Sequence, residues 1–444
     1  MGRLFGTDGV RGVANVDLTP ELAFNVGRAA AHVLNPQGGG RFLIGRDTRL
    51  SGEMLEAALV SAICSTGGHP VRAGVLPTPG VAHLARAQHA SAGVVISASH
   101  NPIEDNGIKF FAGDGFKLPD EVEDAIEAAM NRRDLRRPLG VDVGRVEEFP
   151  EGAEMYAEYV ASLATMPLGG LRVVVDCAYG ASARVAANLW KRLGATVIAI
   201  NDALDGSRIN VECGSTNPEV IRQAVLEHGA DVGFAHDGDA DRVIAVDETG
   251  QIVDGDGIMG LCAIHLHSQD RLRGSRVIAT VMSNYGLEVA LQRAGIELER
   301  TKVGDRYVLE RMRETGANLG GEQSGHIIFL DHVTTGDGSV TAVQVANVMM
   351  ETGKRLSELA APIERWPQVL RNVTVPDRDR FAREPAIQAA IADAERSLGG
   401  RGRILVRPSG TEPVVRVMVE AEDQQDAESI AGRLAGAIQR TIGK

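Results

Sequence analysis

The sequence predicts an α/β chain: successive related α/β units with mostly parallel sheets, then a smaller α+β unit. Three observations carry this. β-branched runs closed by Gly, Asn or Pro alternate with helical stripes. Two strand-to-helix junctions about a hundred residues apart, "LRVVVDCAYGAS" (171–182) and "SRVIATVMSNYGLE" (275–288), share one design. After "APIERWPQV" (361–369), with its two prolines, the rhythm changes.

In order along the chain, "RFLIG" (41–45) reads as a strand, and a helix from Ser51 carries Leu55, Leu59 and Ile63 on one face. "GVVISAS" (93–99) is the next strand, so a βαβ unit is expected. "NRRDLRRPLG" (131–140) is a surface connection, and a helix starts near Glu151. The second unit runs from its strand into Ala178-Tyr179-Gly180, the helical "ARVAANLWKRLG" and the strand "ATVIAIN". The third repeats the junction at Asn284-Tyr285-Gly286. In the last, "QVLRNVTV", "RILVRPSG" and "VVRVMVEAE" are antiparallel strands, with helices near 383–398 and 425–442. Boundaries near 165, 265 and 370 divide the chain into 1–165, 166–265, 266–370 and 371–444.

At 444 residues one core is not enough, and 44% hydrophobic content excludes disorder. A net charge of -13 excludes a general nucleic-acid binder, so an anionic ligand must be held by local arginines. The cysteines, Cys64, Cys177, Cys213 and Cys262, lack CxxC spacing and read as small hydrophobes in a reducing compartment. The N-terminus "MGRLFGTDG" has no apolar h-region, and Gly6 stands where a myristoylation site needs a hydroxyl. No apolar run reaches the roughly 18 residues of a membrane span. A cytoplasmic location, with no membrane partner, is expected.

The strongest chemical signal is "HDGDADR". Asp237, Asp239 and Asp241 alternate with small residues after the strand-like "ADVGF", so three carboxylates can converge on one hard cation. Oxygen ligation favours Mg²⁺, Ca²⁺ or Mn²⁺ over zinc. Glu248 lies where an EF-hand places its glutamate, but Arg242 occupies the glycine position and "VIAVD" reads as a strand. A solvated acidic turn is the alternative. Asp254 and Asp256 suit helix capping near Gly257.

"RPSGTEPVVR" (407–416) combines Arg407, Ser409, Gly410 and Thr411, a composition that grips a phosphate dianion, with Arg416 on the next strand. A plain hairpin turn reads similarly. "GGEQSGH" (320–326) offers Glu322, Gln323, Ser324 and His326, donors and acceptors suited to sugar hydroxyls. "GTDGVRG" (6–12) and "GRDTR" (45–49) place Arg11, Arg46 and Arg49 near loops, where a surface ion-pair network is an equal reading.

In "VVISASHNP" (94–102) a buried run ends in Ser97, Ser99, His100 and strong turn residues, where a strand leaves the core. Alternation points both serines the same way, so periodicity does not choose between them. There is no G-x-S-x-G elbow for acyl transfer. A metal loop, a phosphate loop and a sugar loop instead indicate phosphoryl transfer through a serine.

Five motifs in order, "MGRLFGTDGVRG", "ISASHNP" with "DNGIKFF", "DGDADR", "GEQSGH" and "RPSGTEP", resemble the α-D-phosphohexomutases over essentially the whole chain. The resemblance implies three related α/β domains with mixed sheets plus a smaller C-terminal α+β domain around a central cleft. It makes Ser99 the phosphoserine, with Mg²⁺ held there by Asp237, Asp239 and Asp241. The implied reaction takes glucosamine 6-phosphate through a 1,6-bisphosphate, which also serves as activator, to glucosamine 1-phosphate, supplying UDP-N-acetylglucosamine. Glu322 and Ser324 would bind the sugar; Arg407, Ser409, Gly410 and Thr411 would hold the idle phosphate. Arg11, His100, Lys109 and Arg242 are local candidates for charge neutralisation. Lys109 matches a family position linked to proton transfer, which asks for a lowered pKa. His326 stands near the substrate or makes a structural hydrogen bond.

One position departs from the family pattern, Ala240 in place of a glycine; "GEQSGH" also differs from the "GEMSGH" of phosphomannomutase/phosphoglucomutase enzymes, which favours the amino sugar. Rival readings are a hexose mutase of the same fold, a phosphohydrolase in which water takes the phosphoryl group, and a non-catalytic sugar-phosphate sensor. The expected partner is a small sugar phosphate, on a monomer or homodimer.

Overall fold

The computed structural model describes residues 3–6, 8–409 and 412–443. They form two compact units, one of residues up to 282 with 296–361, the other of 283–295 with 362 onward.

The first unit opens with β1 (Val10–Val13), α1 (Pro20–Leu34), β2 (Arg41–Arg46), α2 (Gly52–Cys64), β3 (His69–Val75) and α3 (Thr78–Ala87). It continues with β4 (Ala92–Ile96), β5 (Asp105–Ala112), α4 (Asp120–Met130), β6 (Glu147–Glu148) and α5 (Gly152–Ala161). The sheet order is β1-β5-β4-β2-β3-β6. Thr19 caps α1, its hydroxyl accepting the Leu22 N–H at 3.2 Å, and Pro20 suits the first turn. Gly27 of α1 meets α2 closely enough that a Cβ would lie 2.8 Å from Leu59.

β2, β3, β4 and β6 are parallel, but β5 runs antiparallel to both β4 and β1. The connection between β4 and β5, residues 97–104, is too short for a crossover, so the chain must reverse there. The sheet is therefore mixed, and the reversal is the turn that carries Ser97, Ser99 and His100.

The second sheet is built from β7 (Arg172–Asp176), α6 (Ala186–Arg192), β8 (Thr196–Ile200), α7 (Glu219–His228), β9 (Val232–His236), β10 (Val243–Asp247) and β11 (Ile252–Val253). Its order is β11-β10-β9-β7-β8. β9 and β10 are buried along their length and pair antiparallel, so residues 237–242 form the loop between two core strands. α8 (Gly255–Ser268) follows; Asp254 caps it, accepting the Asp256 and Gly257 N–H groups at 3.1 and 3.2 Å. Glu248 is used elsewhere, accepting the Ser357 N–H at 3.4 Å.

The third sheet contains β12 (Arg276–Thr280), which leads into α9 (Tyr285–Arg293) of the second unit, then β13 (Glu297–Thr301), α10 (Asp305–Thr315), β14 (Leu319–Gly321) and β15 (Ile327–Phe329). Its order is β13-β12-β14-β15. The buried α11 (Gly338–Thr352) and the short α12 (Leu356–Ala360) complete the unit.

In the second unit, β16 (Gln368–Thr374), α13 (Pro385–Leu398), β17 (Gly402–Pro408), β18 (Val414–Ala421) and α14 (Gln424–Ile442) form an antiparallel sheet, β16-β18-β17, with helices. Its core joins Val373, Val417 and Val419 to Ile387, Leu398, Ile430, Leu434 and Ile438. Asn284 ties α9 to this unit, donating to the Trp366 carbonyl at 3.0 Å and to Glu420 at 3.2 Å. Among the described residues no helix is long and apolar enough to cross a membrane. All four cysteines are free thiols.

Candidate active site

β4 ends at Ile96, and with it the alternation that would have aligned the two serines. Ser97 turns inward: its hydroxyl donates to Asp47 at 2.6 Å and accepts the Ser99 N–H at 2.9 Å. Ser99 takes the left-handed φ of 53°, a costly conformation for a non-glycine residue. That twist presents its Oγ to Asp237, to which it donates at 2.5 Å, with His100 Nδ1 3.2 Å away. Burial, then the cations Arg242 and Arg11, push the His100 pKa down to about 4, so its ring is neutral at neutral pH.

Arg49 does not belong to a surface ion-pair network. Its side chain is wholly buried, paired with an equally buried Asp47 at 3.0 Å, because the loop carbonyls around Ser99 need donors where water cannot reach. Arg46 keeps the ion-pair role, bonding Glu56 at 3.1 Å and Glu53 at 2.9 Å.

The loop between β9 and β10 brings carboxylate oxygens of Asp237, Asp239 and Asp241 within 4.8 Å of one another, all buried. Gly238 lets this loop approach the serine turn; a Cβ there would lie 2.7 Å from the Ser99 carbonyl oxygen. Ala240 adopts φ 58°, which accounts for the glycine favoured in the family pattern. Thr78, at the start of α3, donates its hydroxyl to Asp239 Oδ2 at 2.7 Å and its N–H to the Asp239 carbonyl at 2.9 Å. Asp239 Oδ1 and Asp241 Oδ1 are buried without a hydrogen-bond partner.

Burial, reinforced by repulsion from Asp241 and Asp239, holds Asp237 well above the usual carboxylate range. Burial also works to raise Asp241, but His326 and Lys109 beside it overcome that and pull it down. A buried acidic cluster with two idle oxygens and an internally repelled member fits a hard divalent cation, which would satisfy the oxygens and reverse the repulsion.

Lys109, on β5, lies 3.2 Å from Asp239, 2.9 Å from Asp8 and 3.8 Å from Asp241. Burial alone would lower its pKa, yet those carboxylates raise it, opposite to the shift a proton acceptor requires. Arg11 pairs with Asp8 and donates to Asn101 at 3.3 Å. The Arg242 N–H donates to Asp237 at 3.2 Å, and its Nε lies 3.8 Å from Asp241.

The sugar-like motif is the hairpin between β14 and β15. Glu322 accepts the Gly304 N–H at 3.1 Å, and the Gly325 carbonyl accepts from Val243 at 3.1 Å, docking the hairpin against the start of β10. Ser324 is exposed at the tip. His326 is buried, with Nδ1 3.6 Å from Asp241 and Nε2 accepting the Gly336 N–H at 3.1 Å. The structure thus brings His326 to Asp241 of the aspartate loop.

In the second unit, Arg407 and Arg416 face each other in register across β17 and β18. Arg416 pairs with Glu412 at 2.7 Å, and the buried Ser409 hydroxyl accepts the Glu412 N–H at 3.2 Å. Gly410 and Thr411 lie outside the described residues.

Sequence reasoning missed Asp8, Thr78, Lys117, Asn210 and Asp305. Lys117 bridges Asp8, at 2.8 Å, to Asp305, and Asp305 lies 3.5 Å from His326. Asn210 donates to the Ser99 carbonyl at 2.8 Å. Isolated polar residues on separate elements carry no spacing signal; only the lysine inside "GDGFKLPD" and the acid opening "GDRYV" hinted at polar positions beside turns.

Residues 2–137, 154–250, 254–366 and 370–437 match, in order, the phosphoglucomutase/phosphomannomutase α/β/α domains I, II and III and C-terminal domain. A phosphoglucosamine mutase of Moorella thermoacetica is 57% identical over 437 residues, covering 98% of each chain. The crystal structure of a phosphoglucomutase/phosphomannomutase family protein from Burkholderia thailandensis superposes with a TM-score of 0.84 at 25% identity, covering 99% of this chain and 97% of that one. The Aspergillus fumigatus N-acetylphosphoglucosamine mutase, solved with GlcNAc-6P and magnesium, shares the fold at 19% identity and a TM-score of 0.67, covering 98% and 95%. With all four domains matched in order and more than half its residues shared with such a relative, the chain belongs to the phosphoglucomutase/phosphomannomutase family, the α-D-phosphohexomutases, and stands within it beside the phosphoglucosamine mutases.

Proposed function

We propose that this protein converts glucosamine 6-phosphate to glucosamine 1-phosphate through a phosphorylated Ser99 and a sugar 1,6-bisphosphate. The observation that carries the reading is the Ser99 hydroxyl pointed at a buried aspartate triad with two oxygens that accept no hydrogen bond.

Asp237, Asp239 and Asp241 would hold a Mg²⁺ ion, which supplies positive charge against the phosphoryl oxygens during transfer. The chain's own groups do the rest. In the first half, the bond from Ser99 Oγ to phosphorus breaks as the bond from phosphorus to the sugar O1 forms, and the O1 proton ends on the released Oγ. The bisphosphate then turns over. In the second half, the bond from phosphorus to O6 breaks as the bond to Oγ re-forms, and the proton given up by Oγ ends on O6. Free serine is a weak nucleophile, and Asp237, which accepts the Ser99 hydroxyl hydrogen bond at 2.5 Å, orients Oγ for re-phosphorylation.

Lys109 and Arg11 act as fixed cations beside the transferring group, with Lys109 kept charged by its three carboxylate neighbours. Glu322 and Ser324 take the sugar hydroxyls. Arg407, Ser409 and Arg416, with Gly410 and Thr411 between them, take the phosphate that is not reacting. Recognition of both sugar orientations needs acceptors that serve similar hydroxyls at either end, and a carboxylate with two oxygens does so.

Purified protein with Mg²⁺ and a trace of hexose 1,6-bisphosphate, offered glucosamine, glucose and mannose 6-phosphates in parallel, tests this. The expected result is the highest kcat/KM for glucosamine 6-phosphate with 1-phosphate as product. Preference for glucose or mannose overturns the specificity, and release of inorganic phosphate at the turnover rate overturns the mutase reading.

A further inference from the structure

We infer that Arg49 and Asn210 are positioning residues for Ser99, gripping its carbonyl from two elements of the fold and fixing the turn that presents the hydroxyl to Asp237. The inference rests on the phosphoserine reading above.

Every N–H of the Arg49 guanidinium is spent. Nε donates to Asp47 at 3.0 Å; Nη2 donates to the carbonyls of Ser99 at 3.0 Å and Asn101 at 2.7 Å; Nη1 donates to Asp105 at 2.9 Å and to Pro102. Four carbonyls of one turn thus converge on one planar fork, a geometry no lysine reproduces. Asp47 fixes the fork and, through Ser97, also holds the Ser99 N–H. Both backbone groups of Ser99 are therefore tied to one buried pair, which sustains its left-handed φ of 53°.

Asn210 reaches the same carbonyl from the segment between β8 and α7, part of the chain that also supplies the aspartate loop. Nδ2 donates to Ser99 at 2.8 Å and lies 3.5 Å from the Asn101 carbonyl, while Oδ1 is buried without a partner. The amide is thus oriented by two carbonyls of the serine turn, Ser99 at the shorter distance and Asn101 at the longer. Its own backbone is left-handed, φ 59°, and its N–H donates to Ala178 at 3.1 Å. The segment is seated on the Arg49 loop: at Gly206 a Cβ would lie 1.9 Å from the Thr48 carbonyl oxygen, and the Thr48 hydroxyl donates to the Tyr179 carbonyl at 2.5 Å. Asn210 couples the height of the nucleophile to the domain that holds the carboxylates.

The test uses Asn210→Gly, which keeps the left-handed φ and deletes the donor, Asn210→Asp, which keeps the shape and turns the donor into an acceptor, and Arg49→Lys. Each full-length variant is compared with the wild type for folding by circular dichroism, for kcat and KM, and for phosphoryl uptake by Ser99 from glucose 1,6-bisphosphate, read by intact mass. The expected result is folded Asn210 variants with unchanged KM, kcat lowered about 100-fold, the cost of an ångström-scale misplacement, and uptake slowed in parallel. Arg49→Lys is expected to lose more. Folded Asn210 variants that take up phosphate as fast as the wild type overturn the inference while leaving the phosphoserine reading intact. A wild type that never acquires phosphate on Ser99 overturns that reading and the inference with it.

Discussion

Ser99 Oγ and Asp237 Oδ2 meet at 2.5 Å although 138 residues separate them in the chain. The serine sits on a turn that reverses one sheet, the aspartate on a loop between two buried strands of another, and only their packing brings the two together. Burial and like charge hold Asp237 well above its usual range, so the contact marks a site built for positive charge.

Thr78 supports that site from α3. Its hydroxyl takes one oxygen of Asp239 and leaves the other for a cation. Thr78→Val is expected to weaken divalent metal binding about 10-fold to 100-fold, as loss of an outer-shell bond commonly does, and Thr78→Ser to restore it. Calorimetric titration with Mn²⁺ checks this; equal affinities in all three proteins contradict it.

Ala240 bears on stability. A left-handed alanine costs roughly 1–2 kcal/mol, whereas glycine adds about 0.4–1 kcal/mol of unfolded-state entropy and forfeits about 0.8 kcal/mol of buried methyl. These offset, so Ala240→Gly is expected to change unfolding free energy by less than about 1 kcal/mol. Ala240→Val adds a branched side chain at φ 58° in a fully buried site and is expected to cost more than about 2 kcal/mol. Urea denaturation midpoints separate the two.

Lys117 joins Asp8 to Asp305 in a buried bridge. Burial would lower its pKa, but Asp305 and Asp8 raise it, and burial's tendency to raise those two acids is reversed in turn. Lys117→Met strips two buried carboxylates of their shared cation and is expected to destabilise the protein by about 3–5 kcal/mol. Near wild-type stability in this variant would show that the bridge contributes no more than a surface pair.

Asp337 gives a pH dependence of opposite sign to a salt-bridged acid. It caps α11 by accepting the Val340 N–H at 2.9 Å and accepts the Tyr156 hydroxyl at 2.8 Å, yet burial pushes its pKa up to about 6. Because the folded pKa exceeds the unfolded one, its contribution is fully present below about pH 4 and is lost as pH rises through about 6. Asp337→Asn keeps the cap and removes the titration. The variant is expected to gain on the wild type between pH 4 and pH 7.5, by up to about 3 kcal/mol, in urea unfolding at both values.

Much of this was legible in the chain. The alternating strand and helix patterns, the capping role of Asp254 and the convergence of Asp237, Asp239 and Asp241 follow from local spacing, which sequence displays directly. What was hidden depends on distant contacts. Alternation treated Ser97 and Ser99 alike, and only the left-handed turn separates them. For Arg49 the sequence left a loop position and a surface ion-pair network as equal readings, because nothing in "GRDTR" reveals that four carbonyls from another loop close over it. Lys109 carries the residue type proton transfer needs, but its surrounding acids set the opposite shift.

Transfer through Ser99 is read most directly by following a labelled phosphoryl group. Protein labelled on Ser99 with ³²P from a hexose 1,6-bisphosphate is mixed with unlabelled glucosamine 6-phosphate, and the label is traced to sugar or to water. Rapid passage of label into glucosamine 1,6-bisphosphate and glucosamine 1-phosphate is expected, with no labelling of Ser99→Ala. Label released as inorganic phosphate, or a Ser99→Ala protein that still takes up label and turns over, would contradict it.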